Sequence, residues 1–392
     1  MILIIADDFT GALDTSCCFA KYGFRTWLLP AAPDAVMQDI DPEVLVFASG
    51  TRHMLPGEAY ETTARIIEQW KDRAGCIFLK TDSAWRGNIS AAAAAAVRTT
   101  GQTLHAMPAY PQIGRMLKDG TVYIGEKLLE QSVFAKDPRS PMRISSGTDL
   151  LRMDYPLRVR KVPEGAWSET SDGMDEGLPE VFLYDCSTEG SMESRAREII
   201  RKDYRLISGC AGLGNVYAKL LTEADGRSGS TEDTGKTEVQ GGFLIFSGSA
   251  NPITFEQLAD RGEIPLFRLD EAEAALSVLR SGGTAIVAAA EREEDVQRDV
   301  PASYHEELME RMTQTAVKLI RGSGCRDLAV FGGDTLEGIL AALGWGRIRV
   351  TGQIEDGVSV CLADTVCGRL RIFAKSGGLG SRQVIHKMEE YR

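Results

Sequence analysis

Short apolar runs alternate with helix-length stretches along almost the whole chain, and this alternation restricts the fold more than any other feature. The runs are Ile2–Ala6, Arg25–Leu29, Val44–Ala48, Cys76–Leu79, Thr103–Met107, Val181–Tyr184 and Arg205–Ser208. Helical stretches such as Pro56–Lys71, Met192–Arg201 and Leu213–Thr222 separate several of them. Repeated strand–helix units predict a parallel, doubly wound sheet. The stretch Thr222–Gly242, rich in Gly, Ser, Thr, Glu and Asp, breaks the pattern and reads as a linker.

The alternation then restarts: strand Phe243–Phe246, helix Thr254–Arg261, strand Leu266–Leu269, helix Glu271–Arg280 and strand Ala285–Ala288. Helix Tyr304–Arg321, strand Leu328–Phe331 and helix Thr335–Leu343 follow. Arg347–Thr351, Val358–Leu362 and Arg369–Ala374 are expected to close the fold as a meander. With 392 residues the chain exceeds one ordinary domain. The fold expected is α/β: two doubly wound α/β domains with a cleft between them, over residues 1–225 and 242–392, joined by a linker at 226–241. Pro138–Glu180, punctuated by five prolines, reads as an irregular insert outside the core, a wall or lid over a site.

The net charge of −12 argues against a general nucleic-acid or membrane surface, so an anionic ligand must be drawn by a local basic pocket. Eight cysteines form no CxxC pair, which suits reduced thiols in the cytoplasm. The four histidines fall into no metal-ligand pattern, and His305-Glu306-Glu307-Leu308-Met309 has Met where a zincin helix needs its second His. The N-terminus lacks a basic flank and reads as a first strand, not a signal peptide.

Chemistry concentrates where strands end. Cys76–Leu79 runs into Lys80-Thr81-Asp82-Ser83-Ala84-Trp85-Arg86-Gly87-Asn88, and a helix over Ile89–Val97 follows. Open α/β sheets hold their ligands at this kind of edge. Lys80 and Arg86 suit a carboxylate or phosphate, while Asp82, Ser83 and Asn88 suit hydroxyl groups. Asp7-Asp8 ends the first run; the pair can hold a hydroxyl, act as general base or bind Mg²⁺ through water, or Asp8 can simply cap the next helix. Arg52 and Arg115 follow two further strands, so four strand ends offer charge to one ligand.

The second half offers glycine instead. Ser247-Gly248-Ser249, Gly332-Gly333-Asp334-Thr335 and Ser376-Gly377-Gly378 each leave a strand, and the last two open helices. Backbone amides freed in this way suit nucleotide phosphates. A P-loop is excluded, because Gly120–Lys127 puts Glu126 where the Lys belongs, and there is no G-x-G-x-x-G fingerprint or nucleophile elbow.

Asp7 to Ala12, Lys80 to Ser83 with Arg86-Gly87-Asn88, Pro108 to Arg115, Gly332 to Thr335 and Lys375 to Gly378 together resemble the four-carbon acid sugar kinases. The resemblance runs in order through nearly the whole chain and implies an N-terminal substrate domain and a C-terminal nucleotide domain. It implies phosphorylation of a threonate, an erythronate or an oxo-tetronate with ATP and Mg²⁺. Asp8, Arg52, Lys80, Asp82, Arg86, Asn88 and Arg115 would then line the acid site. Ser249, Gly332 to Thr335 and Gly377-Gly378 would hold ATP, with no dedicated protein site for the metal. Asp8 or Asp82 would accept the proton of the attacking hydroxyl. The expected partners are the sugar acid and ATP, with no nucleic acid and no membrane, and a homodimer is the assembly left open. Three places depart from the family pattern: Ala84-Trp85, Ala250-Asn251 and Glu355-Asp356. The competing readings are a sugar-acid and nucleotide sensor without catalysis and a nicotinamide-dependent hydroxy-acid dehydrogenase.

Overall fold

The computed structural model describes residues 1–31, 40–137, 139–166, 179–226, 241–297, 300–376 and 378–392. These form two compact α/β units, 1–226 and 241–392. The linker expected at 226–241 lies, save its two end residues, outside the described residues.

The first unit contributes β1 (Ile2–Ala6), β2 (Thr26–Pro30), β3 (Val44–Ala48), β4 (Cys76–Lys80) and β5 (Leu104–Met107). After these come β6 (Arg115–Lys118), β7 (Thr121–Ile124), β8 (Lys127–Leu128), β9 (Arg158–Val162), β10 (Glu180–Tyr184) and β11 (Leu206–Gly209). Its main sheet runs β2-β3-β1-β4-β11-β5-β10-β9, parallel throughout. The chain leaves β1 toward β2 on one side and later crosses β1 to reach β4 on the other. Right-handed crossovers in opposite directions put their helices on opposite faces. Helix Phe9–Ala20 packs with Ala211–Asp225, and Pro56–Trp70 packs with Ile89–Thr100. The alanine run serves this second pair: Ala93 to Ala96 are all buried, and their small side chains let the two helices approach closely.

The register matters for function. Ala6 is level with both Ala48 and Lys80, and Gly209 is level with Lys80 and Met107. The chain reverses direction about β1, so its carboxyl end, with those of β3 and β4, forms the switch-point crevice of an open α/β sheet.

Two features differ from the sequence reading. The Pro138–Glu180 insert is not wholly irregular: it carries helix Gly147–Arg152 and strand β9, which pairs with β10. Arg158-Val159-Arg160-Lys161-Val162 holds three cations and so lacks the signature of a buried strand; it is tolerated as an edge strand because one side stays unpaired. Pro138 and residues 167–178 of the insert lie outside the described residues. The stretch that imitates a P-loop is a small antiparallel sheet, β6-β7-β8, turning at Gly120 (φ +71°) and Gly125 (φ +61°).

The second unit holds β12 (Phe243–Ser247), β13 (Leu266–Arg268), β14 (Thr284–Ala288), β15 (Asp327–Phe331), β16 (Arg347–Glu355), β17 (Val358–Thr365) and β18 (Gly368–Lys375). Their order is β13-β14-β12-β15-β18-β17-β16. The first five are parallel, and the expected meander adds β17 and β16 antiparallel to β18. Ser247 is level with Phe331, and Phe331 with Lys375, so the three glycine-rich loops leave adjacent strands side by side.

Candidate functional site

In the first unit the charged strand ends converge. Arg52, brought round by a short 3-10 turn after β3, grips Asp7 with two bonds (Nε to Oδ2 2.8 Å, Nη2 to Oδ1 3.0 Å) and donates to Asp8 Oδ2 at 2.6 Å. Asp8 also fulfils its capping role, since its Oδ1 accepts the Gly11 N–H at 2.9 Å. A Cβ on Gly11 would lie 2.5 Å from Asp8 Oδ1 and 2.6 Å from Lys80 Nζ, so a side chain there would push both charged groups aside. Lys80 is buried at the end of β4 and donates to the Thr81 carbonyl at 2.9 Å.

Beyond Lys80, Arg86 folds back on its own loop and takes Asp82 with two parallel bonds of 2.9 Å. Its remaining nitrogen, Nη1, donates to Asp137 at 2.9 Å. Asp82 Oδ1 is also 3.8 Å from Arg52. Burial raises the Asp82 pKa, but Arg86 and Arg52 more than offset it and hold the carboxyl at about 2. Asp7 moves the other way: burial raises its pKa despite Arg52, and Asp8 adds to the rise.

Arg115, at the start of β6, lies 5.0 Å from the Phe134 ring centroid, and Arg86 lies 5.1 Å from the same ring. The Nε of Arg115 is buried without a partner, and burial lowers its pKa against the pull of Asp82. Among the described residues neither Lys80 nor Arg115 has a carboxylate in ion-pair contact. Asn88 is brought to the same place but faces the backbone, donating to the Thr51 and Met54 carbonyls at 2.7 and 2.9 Å and bracing the Arg52 turn. Gly87 (φ +91°) fits the same contact, because a Cβ would sit 3.0 Å from Arg52 Cγ. Ser83 lies half-buried on the turn between Asp82 and Arg86.

The sequence reading missed Phe134 and Asp137. Both come from the connection after the small sheet, where Asp137 also accepts from Arg139 N (3.0 Å) and Ser140 N (2.7 Å). An isolated Asp in a loop gives no signal without the fold. Trp85, one of the departures, is buried at φ +56° with its Nε1 unpartnered, its ring close beneath Gly147 of the insert.

In the second unit helix Gly333–Ala342 opens directly after Gly332 (φ +117°), with no side chain capping its first amides. Gly248 faces it so closely that a Cβ would fall 2.2 Å from Thr335 Oγ1. Ser249 accepts from Thr254 Oγ1 at 3.0 Å, and Ser247 Oγ is buried without a partner. Asp334 is exposed in the first turn of that helix. Asn251 turns out to cap helix Pro252–Ala259, accepting from Ile253 N at 3.0 Å, and its amide lies 3.3 Å from where a Cβ on Gly378 would be. Gly377 lies outside the described residues.

Two further groups shape this end. Lys375 is buried, donates to Thr254 Oγ1 at 3.3 Å and has its pKa lowered by burial to about 8, against the pull of Glu355. Glu355, the other departure, holds the loop after Gly378 by accepting from Ser381 N and from Lys387. Open helix amides, a glycine cradle and a buried lysine fit a nucleotide's phosphates. Among the described residues no three His, Cys, Asp or Glu side chains gather into a group that could hold a metal ion.

The comparisons with known proteins agree with this division. A sugar-binding N-terminal domain family matches residues 2–217, and a nucleotide-binding C-terminal domain family matches residues 244–385. The chain is 28% identical to the 3-oxo-tetronate kinase of Pseudomonas fluorescens over 98% of this chain and 95% of that one. It is 24% identical to the D-threonate kinase of Salmonella typhimurium, over 97% and 95%. Crystal structures of a Salmonella typhimurium protein (TM-score 0.81, 20% identity, 98% of each chain) and a Haemophilus influenzae protein (TM-score 0.77, 19% identity, 99% of each) share the fold. With its sugar-binding and nucleotide-binding domains in this order, the chain belongs to the four-carbon acid sugar kinase family.

Proposed function

We propose that this protein is an ATP-dependent kinase that phosphorylates a hydroxyl group of a four-carbon sugar acid of the threonate, erythronate or oxo-tetronate class. The single observation that carries this reading is the convergence of Asp8, Arg52, Lys80, Asp82, Arg86 and Arg115 on one sheet edge, with Lys80 and Arg115 free of carboxylate contact among the described residues. Residues 1–225 take the acid and 242–392 the nucleotide, with 226–241 joining them.

In this mechanism Arg115 binds the substrate carboxylate, backed by the Phe134 face. Lys80 and Arg52 stabilise charge on the transferring group. Asp8 orients the attacking hydroxyl and accepts its proton. Asp82 is a poor base at a pKa of about 2 and instead fixes Arg86. Ser247, Gly248, Ser249, Gly332, Gly333, Asp334, Thr335, Gly377 and Gly378, joined by Lys375, hold the phosphates. Bound Mg-ATP supplies the phosphoryl group, and the metal neutralises charge on its oxygens. Phosphoryl transfer asks mainly for positioning and charge stabilisation, which these residues supply.

No described helix is long and apolar enough to cross a membrane, and a cytoplasmic site suits the thiols, none of which forms a disulfide among the described residues. The test is ADP release from Mg-ATP with a panel of threonates, erythronates and their oxo forms. Release dependent on one acid supports the reading. ATP binding with silence across the panel would favour the sensor, and reduction of NAD⁺ by a hydroxy acid would favour the dehydrogenase.

A further inference from the structure

A pocket of about 350 Å³ opens at the carboxyl edge of the second unit's sheet, where β13 and β14 end. Sites for small molecules begin at about this volume. Ser247, Ala288 and Arg268 stand level on the adjacent strands β12, β14 and β13. The pocket therefore lies one to two strand spacings, ~5–10 Å, to the side of the Ser247-Gly248-Ser249 loop. Two contacts tie it to that loop. Ala289, which lines the pocket, donates its N–H to the Ser247 carbonyl at 2.9 Å. Helix Ala302–Ser323, which forms one wall, reaches the loop as well, since a Cβ on Gly248 would lie 3.1 Å from Met312 Sδ.

The lining has the chemistry of a slot for a flat heterocycle. Tyr304, Leu308 and Arg311 come from positions i, i+4 and i+7 of the helix, which form one face. The chain leaving β14 supplies Ala288-Ala289-Ala290, whose side chains stop at Cβ and leave room for a ring. The turn that follows is already formed: Asp295 Oδ2 accepts from the Glu291 and Arg292 amides at 3.1 and 2.9 Å. Charge in the lining is balanced, with Arg268, Arg292 and Arg311 against Asp270, Glu291 and Asp295. A balanced field does not select a second anion; it suits an uncharged base and the hydroxyl groups of a sugar.

We propose that this pocket takes the base and ribose of ATP, with the base stacked on the Tyr304 ring and packed against Leu308. The phosphate chain then runs from the pocket onto the Ser247-Gly248-Ser249 loop and the start of helix Gly333–Ala342. The proposal rests on the kinase reading above and extends it from the phosphates to the nucleoside.

The experiment is calorimetric titration of the full chain with ATP and with inorganic tripolyphosphate, which carries a chain of three phosphates and no nucleoside. The proteins compared are the wild type, Tyr304→Ala, Tyr304→Phe and Leu308→Ala. Both side chains are partly exposed and alanine keeps the helix, so the variants should fold. Loss of one stacking ring should weaken ATP binding ~10-fold or more in Tyr304→Ala, while Tyr304→Phe, which keeps the ring, stays within about 2-fold of wild type. Leu308→Ala should weaken ATP binding ~3-fold or more through lost apolar contact. Tripolyphosphate affinity should be unchanged in every variant. Equal losses for ATP and tripolyphosphate, or no loss for ATP, would overturn the nucleoside pocket and leave the kinase standing. Wild-type protein that binds neither ligand would overturn both.

Discussion

Asp82→Asn separates a structural from a catalytic reading of the loop that follows β4. The Asp82 carboxylate is buried and takes two bonds from Arg86, with Arg52 close by. Its pKa falls from 3.8 to about 2 although burial alone would raise it. At 1.36 kcal/mol per pKa unit this favours the charged form by ~2.5 kcal/mol, which sets the scale of the pairing. Asparagine keeps the volume and removes the charge, leaving Arg86 with Asp137 as its remaining carboxylate. Breaking a buried pair from one side costs ~3–5 kcal/mol, and the partial exposure of Arg86 reduces this to ~2–3.

For a unit of this size each kcal/mol moves Tm by ~2–4 °C, so the transition of the first unit should fall by ~5–10 °C. Calorimetry on wild type, Asp82→Asn, Arg86→Met and the double variant reads both the loss and the coupling, expected near ~2 kcal/mol. The sign with pH is fixed. A depressed carboxyl pKa stabilises above the unfolded value of 3.8, and the contribution is lost as pH falls through about 2. The difference between wild type and variant should therefore be flat from about pH 8 to about pH 5 and shrink only in stronger acid. A Tm change below ~1 °C, or a coupling below ~0.5 kcal/mol, would refute the assignment of Asp82 as the anchor of Arg86.

Asp8→Asn should lower kcat by ~10²-fold or more in the ADP-release assay; asparagine keeps the helix cap, so any fall in Tm reports the lost charge opposite Arg52. Gly248→Ala should weaken ATP binding by up to ~10²-fold in calorimetric titration and leave acid binding unchanged, since the new Cβ would strike Thr335 Oγ1. Lys375 is charged below a pKa of about 8, so ATP affinity should fall as pH rises through that value, and Lys375→Met should bind more weakly with a flat profile. ATP affinity that is independent of pH in the wild type would remove Lys375 from the phosphate site.

The parts of the fold that were legible in the sequence are those where chemistry is local. Cys76-Ile77-Phe78-Leu79 followed at once by Lys80 can only be a strand delivering a cation to a rim, because each buried residue needs cover on both faces and Lys80 needs an exit or a partner. The same logic places Asp7 and Arg52, and the parallel register of β1, β3 and β4 then brings them together without further information. Asn88 shows the limit. Its residue type suits a hydroxyl group, yet its amide braces the Arg52 turn, a role that depends on where two other carbonyls fall.

Asp137 and Phe134 were not legible for a related reason. Each acts by meeting a side chain from distant sequence: Asp137 is 51 residues from Arg86. The edge strand β9 was hidden because its cations contradict burial while its position tolerates them. These three features share one consequence. The charged strand ends follow local rules, whereas the described residues between Phe134 and Met153 take their place from tertiary contacts: Phe134 with Arg115, Asp137 with Arg86, Ser140 with His53, and Gly147 with Gly120 and Trp85. A family can therefore keep its phosphoryl-transfer residues fixed while this wall changes, and the acid accepted should follow the wall. On the proposed mechanism, specificity would then lie in the insert and in Trp85, against which Gly147 packs, and catalysis with the groups at the ends of β1, β3 and β4.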